Sequence, residues 1–156
     1  MQVTKYQMIT IEDILFCQLN SCLDDKALLI QVVSDFFPYL QEKDGNKKFV
    51  FELELQERRI ASAYLPVVAP KQRVFNYEKC KVEFRKKFHL ENALKVRCEG
   101  DLHTIEKKAQ ELGAFIFNNG YTKITNFYIV LLNISEPADI DFMIADIYVG
   151  LSGNII

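Results

Sequence analysis

The chain has no tryptophan, only two histidines and six scattered glycines among its 156 residues. So few glycines supply no phosphate-cradling loop. His89 and His103 lack a Cys, Asp or second His at ligand spacing, so neither a metal nor a haem is expected, and no other cofactor is implied. Four cysteines, Cys17, Cys22, Cys80 and Cys98, form no Cys-x-x-Cys pair, which removes the usual zinc and redox motifs. With no base or electropositive pocket to activate a thiol, they read as reduced, mostly buried residues of a cytoplasmic protein. Neither sign of charge dominates: the formal net charge is -2, leaving no electrostatic footprint for nucleic acid. No apolar run approaches the length of a membrane span, and the opening MQVTKYQMITIEDI lacks the basic-then-apolar pattern of a secretion signal.

What is present is an ordinary globular composition, 49% apolar and 26% charged, at the length of one domain. The alternation from Met8 to Leu19 predicts a strand. Leu28, Leu29, Val32, Val33, Phe36 and Leu40 recur at helical steps, behind Asp24 and Asp25, and Pro38 ends that helix. Asp44-Gly45-Asn46 is a turn between that helix and the alternating strand Lys48–Leu55; Arg59–Val67 is its partner, with Pro66 at an end or edge. After a connector carrying Pro70 and Asn76, the order returns. Val82–Cys98 is extended and long enough to predict a bend or break, and Asp101–Asn118 is a helix with Ile105, Ala109, Leu112 and Ile116 on one face. Two strands follow, NFYIVLLNI and FMIADIYVGL.

The order is β-α-β-β, twice, and the two halves share a register. A shift of 79 puts Leu15 on Leu94, Leu23 on Leu102, Phe36 on Phe115 and Leu53 on Leu132 without a gap. Five more residues, a longer hairpin near Pro137, bring Ile60, Ala61 and Tyr64 onto Ile144, Ala145 and Tyr148. We read one domain over 1–156, with repeats at about 8–67 and 82–151 and a connector over 68–81.

A β-α-β-β unit covers only one face of its sheet. Two units solve this by joining into a curved, mainly antiparallel sheet, two helices on the outer face and a cleft between the repeats: an α+β fold. Parity then places Val50, Glu52 and Glu54 in the cleft, with Ile129, Leu131 and Asn133 from the second half. Ser62, Tyr64, Asp146 and Tyr148 are assigned inward because Ala61, Ala63, Ala145 and Ile147 suit the space beneath a helix. Rings and carboxylates together suit an apolar cation.

The segments VRCEGDLHTI (Val96, Gly100, Leu102, Ile105) and DIYVGL (146–151), with its first-half counterpart SAYLPV, resemble the GyrI-like effector-binding superfamily, related to the SOUL haem-binding proteins. That resemblance spans essentially the whole chain and implies a ligand cleft at the junction of the halves. Asp146 stands where the family's pocket Glu usually stands, Gly150 replaces the usual Pro, and the tryptophan common in drug-binding members is missing. Such domains serve in transcription regulators, as stand-alone binders or inhibitors, and occasionally as hydrolases. With no room for a helix-turn-helix, the resemblance implies a stand-alone module. The leading expectation is a non-enzymatic binder of a small amphipathic or cationic ligand through Asp146, Tyr148, Tyr64, Ser62, Glu52, Leu131 and Asn133. An alternative is a protein-binding role, as an inhibitor or immunity protein of the kind encoded beside LXG toxin genes; the greasier second half, with Leu131 opposite Glu52 in the alignment, could otherwise expose a patch for a partner or twin subunit. Hydrolysis with Glu52 or Asp146 as base comes third.

Overall fold

The computed structural model describes residues 1–68 and 77–153. Pro70 and Asn76 of the expected connector lie outside the described residues. The described residues form eleven elements in chain order. Strand β1 (Thr4–Cys22) leads to helix α1 (Ala27–Phe36), a 3-10 turn at Phe37–Tyr39, and strands β2 (Glu42–Lys43), β3 (Asn46–Glu54) and β4 (Arg59–Pro66). Then come β5 (Lys81–Gly100), α2 (Leu102–Asn118), β6 (Lys123–Ile134), a 3-10 turn at Pro137–Asp141 and β7 (Met143–Leu151).

Local chemistry sets the boundaries. Asp101 caps α2 by accepting from the Thr104 amide at 2.8 Å, satisfying one of the orphan donors of the first turn. Pro38 cannot continue α1, and the chain tightens there into the 3-10 turn. Asp44 and Gly45 take positive φ, 55° and 81°, between β2 and β3, as a tight hairpin turn needs. The buried stripes of the helices are Leu29, Val32, Val33 and Phe36 in α1 and Ile105, Ala109, Leu112 and Ile116 in α2. Leu28 packs only at the margin, and Leu40 is buried beyond the end of α1.

The fold is α+β. Seven strands form one sheet in the order β2-β3-β4-β1-β5-β7-β6, every pair antiparallel, and β3 also pairs with β6. That last pairing closes six strands into a barrel. A barrel this small has room inside only for side chains, so both helices lie on its outer face. β5 runs its whole length unbroken; instead of stopping, it changes facing at Asn92, where φ is 50°.

The pairing repeats itself. Adding 79 to a β1 residue and 84 to its β4 partner turns Leu15↔Leu65 into Leu94↔Val149, and Gln18↔Ser62 into Arg97↔Asp146. The third strand departs from the register expected of it. Val50↔Tyr64 and Phe51↔Ala63 correspond to Tyr128↔Tyr148 and Ile129↔Ile147, a shift of 78 from β3 to β6. One residue of slip moves every side chain of a strand to the other face. Ile129 and Leu131 therefore lie under the helices, in the core that holds Phe49, Phe51 and Leu53, while Tyr128 and Val130 point into the barrel.

The halves also brace each other. Arg58, in the β3–β4 turn, donates to Glu106 of α2 at 2.8 Å, and Lys26 before α1 pairs with Asp141 of the β6–β7 connection at 2.5 Å. No helix among the described residues is long and apolar enough to cross a membrane.

Candidate ligand-binding site

The barrel interior is a second apolar core. Ile14, Val50, Ala93 and Val130 are buried at its middle with Tyr64, Phe88, Leu90 and Tyr148. The expected cleft between the repeats is thus filled at its centre by side chains, and its openings are the two barrel mouths.

At one mouth four rings meet. Tyr64 lies 5.2 Å from Phe16, 4.9 Å from Phe88 and 6.0 Å from Tyr128 between ring centroids, and Phe88 lies 4.9 Å from Tyr128. The tilted and edge-on arrangements are those the ring quadrupole favours. Beside them stands Glu52, half-buried. Its Oε1 accepts from the Ser62 hydroxyl at 2.7 Å and the Tyr64 hydroxyl at 3.2 Å, and its Oε2 accepts from Asn126 at 2.9 Å. Among the described residues no cation forms a salt bridge with it. Burial first, and the Glu52 charge next, push the Tyr64 and Tyr128 phenols above their ordinary value, so both remain protonated donors at neutral pH. In front of Glu52 and Tyr128 lies an open depression of about 440 Å³, also lined by Lys123, Ile124, Thr125 and Asn126. One cation already rests on the cluster: the Arg85 guanidinium sits 3.8 Å from the centroid of Phe16.

At the other mouth, Asp146 is buried and engaged by Arg97, whose Nε donates to Oδ1 at 2.5 Å and whose Nη2 reaches Oδ2 at 3.4 Å. Asp146 is thus an ion-paired carboxylate. Tyr148 is buried on the same barrel-facing side, its phenol raised by burial and then by the Asp146 charge.

Of the seven residues singled out in the sequence, Glu52, Ser62 and Tyr64 come together at the first mouth, and Asp146 and Tyr148 lie toward the second. Leu131 does not face the interior: it is fully buried on the helix side. That burial also removes it from any exposed apolar patch. Asn133 serves the backbone, accepting from the Ile144 amide at 3.0 Å and donating to the Phe142 carbonyl at 3.2 Å. The misplacement of Leu131 follows from the one-residue slip of β6, which also hid Tyr128, and Asn133 lies at an irregularity of the β3–β6 pairing between Leu131 and Ile134. Phe16 and Phe88 were hidden by the reversals of facing at Asp13 and Asn92, where φ is 57° and 50°. The signal for those was available: Asp13 and Asn92 are 79 apart, and Asp and Asn tolerate that backbone region best after glycine.

Gly150, where the resembled family has Pro, has its own reason. Its amide donates to Thr125 Oγ1 at 2.8 Å, and a Cβ there would lie 2.8 Å from Thr125 Cγ2.

No family model and no curated protein matches the chain. Solved structures share its fold. A hydrolase from Listeria innocua superposes with a TM-score of 0.53 at 10% identity, covering 97% of this chain and 90% of its own. An uncharacterized conserved protein from Listeria innocua gives 0.50 at 12%, covering 95% and 92%. The protein SAV2435, bound to tetraphenylphosphonium, gives 0.51 at 9%, covering 96% and 95%. At these identities the likeness is one of fold.

Proposed function

We propose that this chain is a non-enzymatic binding module of the GyrI-like kind, taking a lipophilic, aromatic cation at the Glu52 mouth of the barrel. The observation that carries the reading is a half-buried carboxylate, held by three neutral donors and lacking a salt-bridge partner among the described residues, beside four clustered rings. A carboxylate partly withdrawn from water and solvated by fixed dipoles is a countercharge waiting for a cation, and the rings offer that cation their negative faces. The ligand lies across the mouth, against Tyr128 and Glu52. SAV2435, of the same fold, holds a cation of this chemistry, which supports the reading by analogy.

Binding fits Glu52 better than base catalysis. Three of the acceptor sites on its two oxygens are taken by fixed donors, which suits a held countercharge, and no group positioned to relay a proton from it is among its partners.

The test is titration calorimetry with tetraphenylphosphonium. Wild type is expected to bind saturably, and Glu52→Gln, which keeps the shape and the Ser62 and Tyr64 bonds, to lose about tenfold or more in affinity. An absence of binding, or an unchanged affinity in a folded Glu52→Gln protein, refutes the reading.

A further inference from the structure

The second mouth carries the opposite chemistry. It opens into a depression of about 410 Å³ lined by Gln2, Thr4, Lys95, Arg97, Lys108 and Asp146, among others, a size ordinary for a small-ligand site. We propose that this depression is a separate site for a small phosphomonoester, with Arg97 and Lys95 as its anion-binding pair.

Arg97 is already fixed in position. The buried Asp146 takes its Nε and Nη2, which holds the guanidinium plane at the depression that Arg97 lines and leaves Nη1 without a hydrogen bond among the described residues. A guanidinium anchored on one edge offers its remaining donors with little further loss of side-chain freedom. Lys95 lies two residues away on the same face of β5, and its ammonium group has no hydrogen bond or ion pair among the described residues. Two cations side by side, one rigid and one free, match a dianion better than a monoanion. Lys108 adds a third positive charge from α2, tempered by Glu111, which holds its Nζ at 3.1 Å.

The backbone contributes as well. β1 ends its pairing with β5 at Thr4↔Lys95, so from Val96 onward that edge of β5 has no strand partner among the described residues. Unpaired edge amides next to cations are further donors for phosphate oxygens. The first-half counterparts of Lys95, Arg97 and Asp146 are Phe16, Gln18 and Ser62, so the counterpart positions at the Glu52 mouth carry no charge. The two mouths of the repeat have diverged in charge, one for a cation and one for an anion.

The experiment titrates the full chain with phenyl phosphate and, in parallel, benzoate at constant ionic strength, following amide and Arg97 side-chain NMR shifts. Phenyl phosphate is expected to saturate, with shifts confined to residues around Arg97, and to bind more tightly than benzoate. Lys95→Gln, which leaves the Arg97–Asp146 pair intact, is expected to weaken it about tenfold, and Glu52→Gln to leave it unchanged. Absence of saturation, shifts spread over surface lysines at large, equal affinity for benzoate, or an unaltered Lys95→Gln protein each overturns the proposal. The tetraphenylphosphonium titration is independent, so either site can fail alone.

Discussion

The Ser62 hydroxyl donates to the Glu52 carboxylate at 2.7 Å across the β3–β4 pair, while at the matching place in the second half Asp146 lies opposite Val130. The same two backbone positions thus hold a carboxylate on the strand after the helix in one copy, β3, and on the last strand in the other, β7. Their partners differ too: three neutral donors surround Glu52, and a guanidinium grips Asp146.

Arg85 competes with any incoming cation for the rings. Its guanidinium stacks on Phe16 and is itself exposed, so its contact is worth about 0.5–1 kcal/mol. Arg85→Ala is expected to raise the affinity for tetraphenylphosphonium about two- to fivefold by calorimetry. A weaker complex would mean that Arg85 helps to build the site.

The facing of β6 can be tested with adjacent leucines. Leu131 is fully buried beneath the helices, and Leu132 is only partly buried at the margin of the barrel interior. Leu131→Ala is expected to lose about 2–5 kcal/mol in urea denaturation, with Leu132→Ala clearly less costly. Equal losses would contradict the register described for β6.

How much of this was legible in the sequence is clearest at the same strand. Helix periodicity and the placement of Asp101 named both helices correctly, and the Tyr64/Tyr148 correspondence fixed β4 against β7. Alternation alone could not place β6: NFYIVLLNI is apolar at both parities, so nothing in its composition betrays a slip of one residue. The ion pairing of Asp146 was illegible for a different reason. Arg97 lies 49 residues away in the chain, and only the β5–β7 pairing brings it opposite. The family pattern directed attention to Asp146, whereas the unpaired charge belongs to Glu52.

Gly150 is expected to resist replacement by the proline of the resembled family. Gly150→Pro deletes the donor to Thr125 Oγ1 and drives ring atoms toward Thr125 and Leu90, so the melting temperature should fall. Combining it with Thr125→Ala, which removes both the clash and the orphaned acceptor, should recover part of the loss. No recovery would show that the amide bond is not what selects glycine.

Acid should unfold the protein through a small set of aspartates. Asp35 is held below the usual carboxylate range by the Tyr77 hydroxyl and then Lys79, Asp101 by the Thr104 amide, and Asp139 by the Ser135 and Glu136 amides. Because their folded values lie below the unfolded one, their contribution is complete above about pH 4 and is lost as pH falls through the folded values. Urea midpoints measured between neutrality and strong acid should decline over that window. Asp101→Asn, which keeps the cap acceptor but cannot titrate there, should flatten part of the slope.

Because β3 reaches round to β6, the two copies complete a single ring of hydrogen bonds, and each copy supplies the other's missing neighbour. Neither is expected to survive as an independent piece. Cleaved between β4 and β5, the fragments should stay associated and unfold together, and expressed apart they should reconstitute only on mixing.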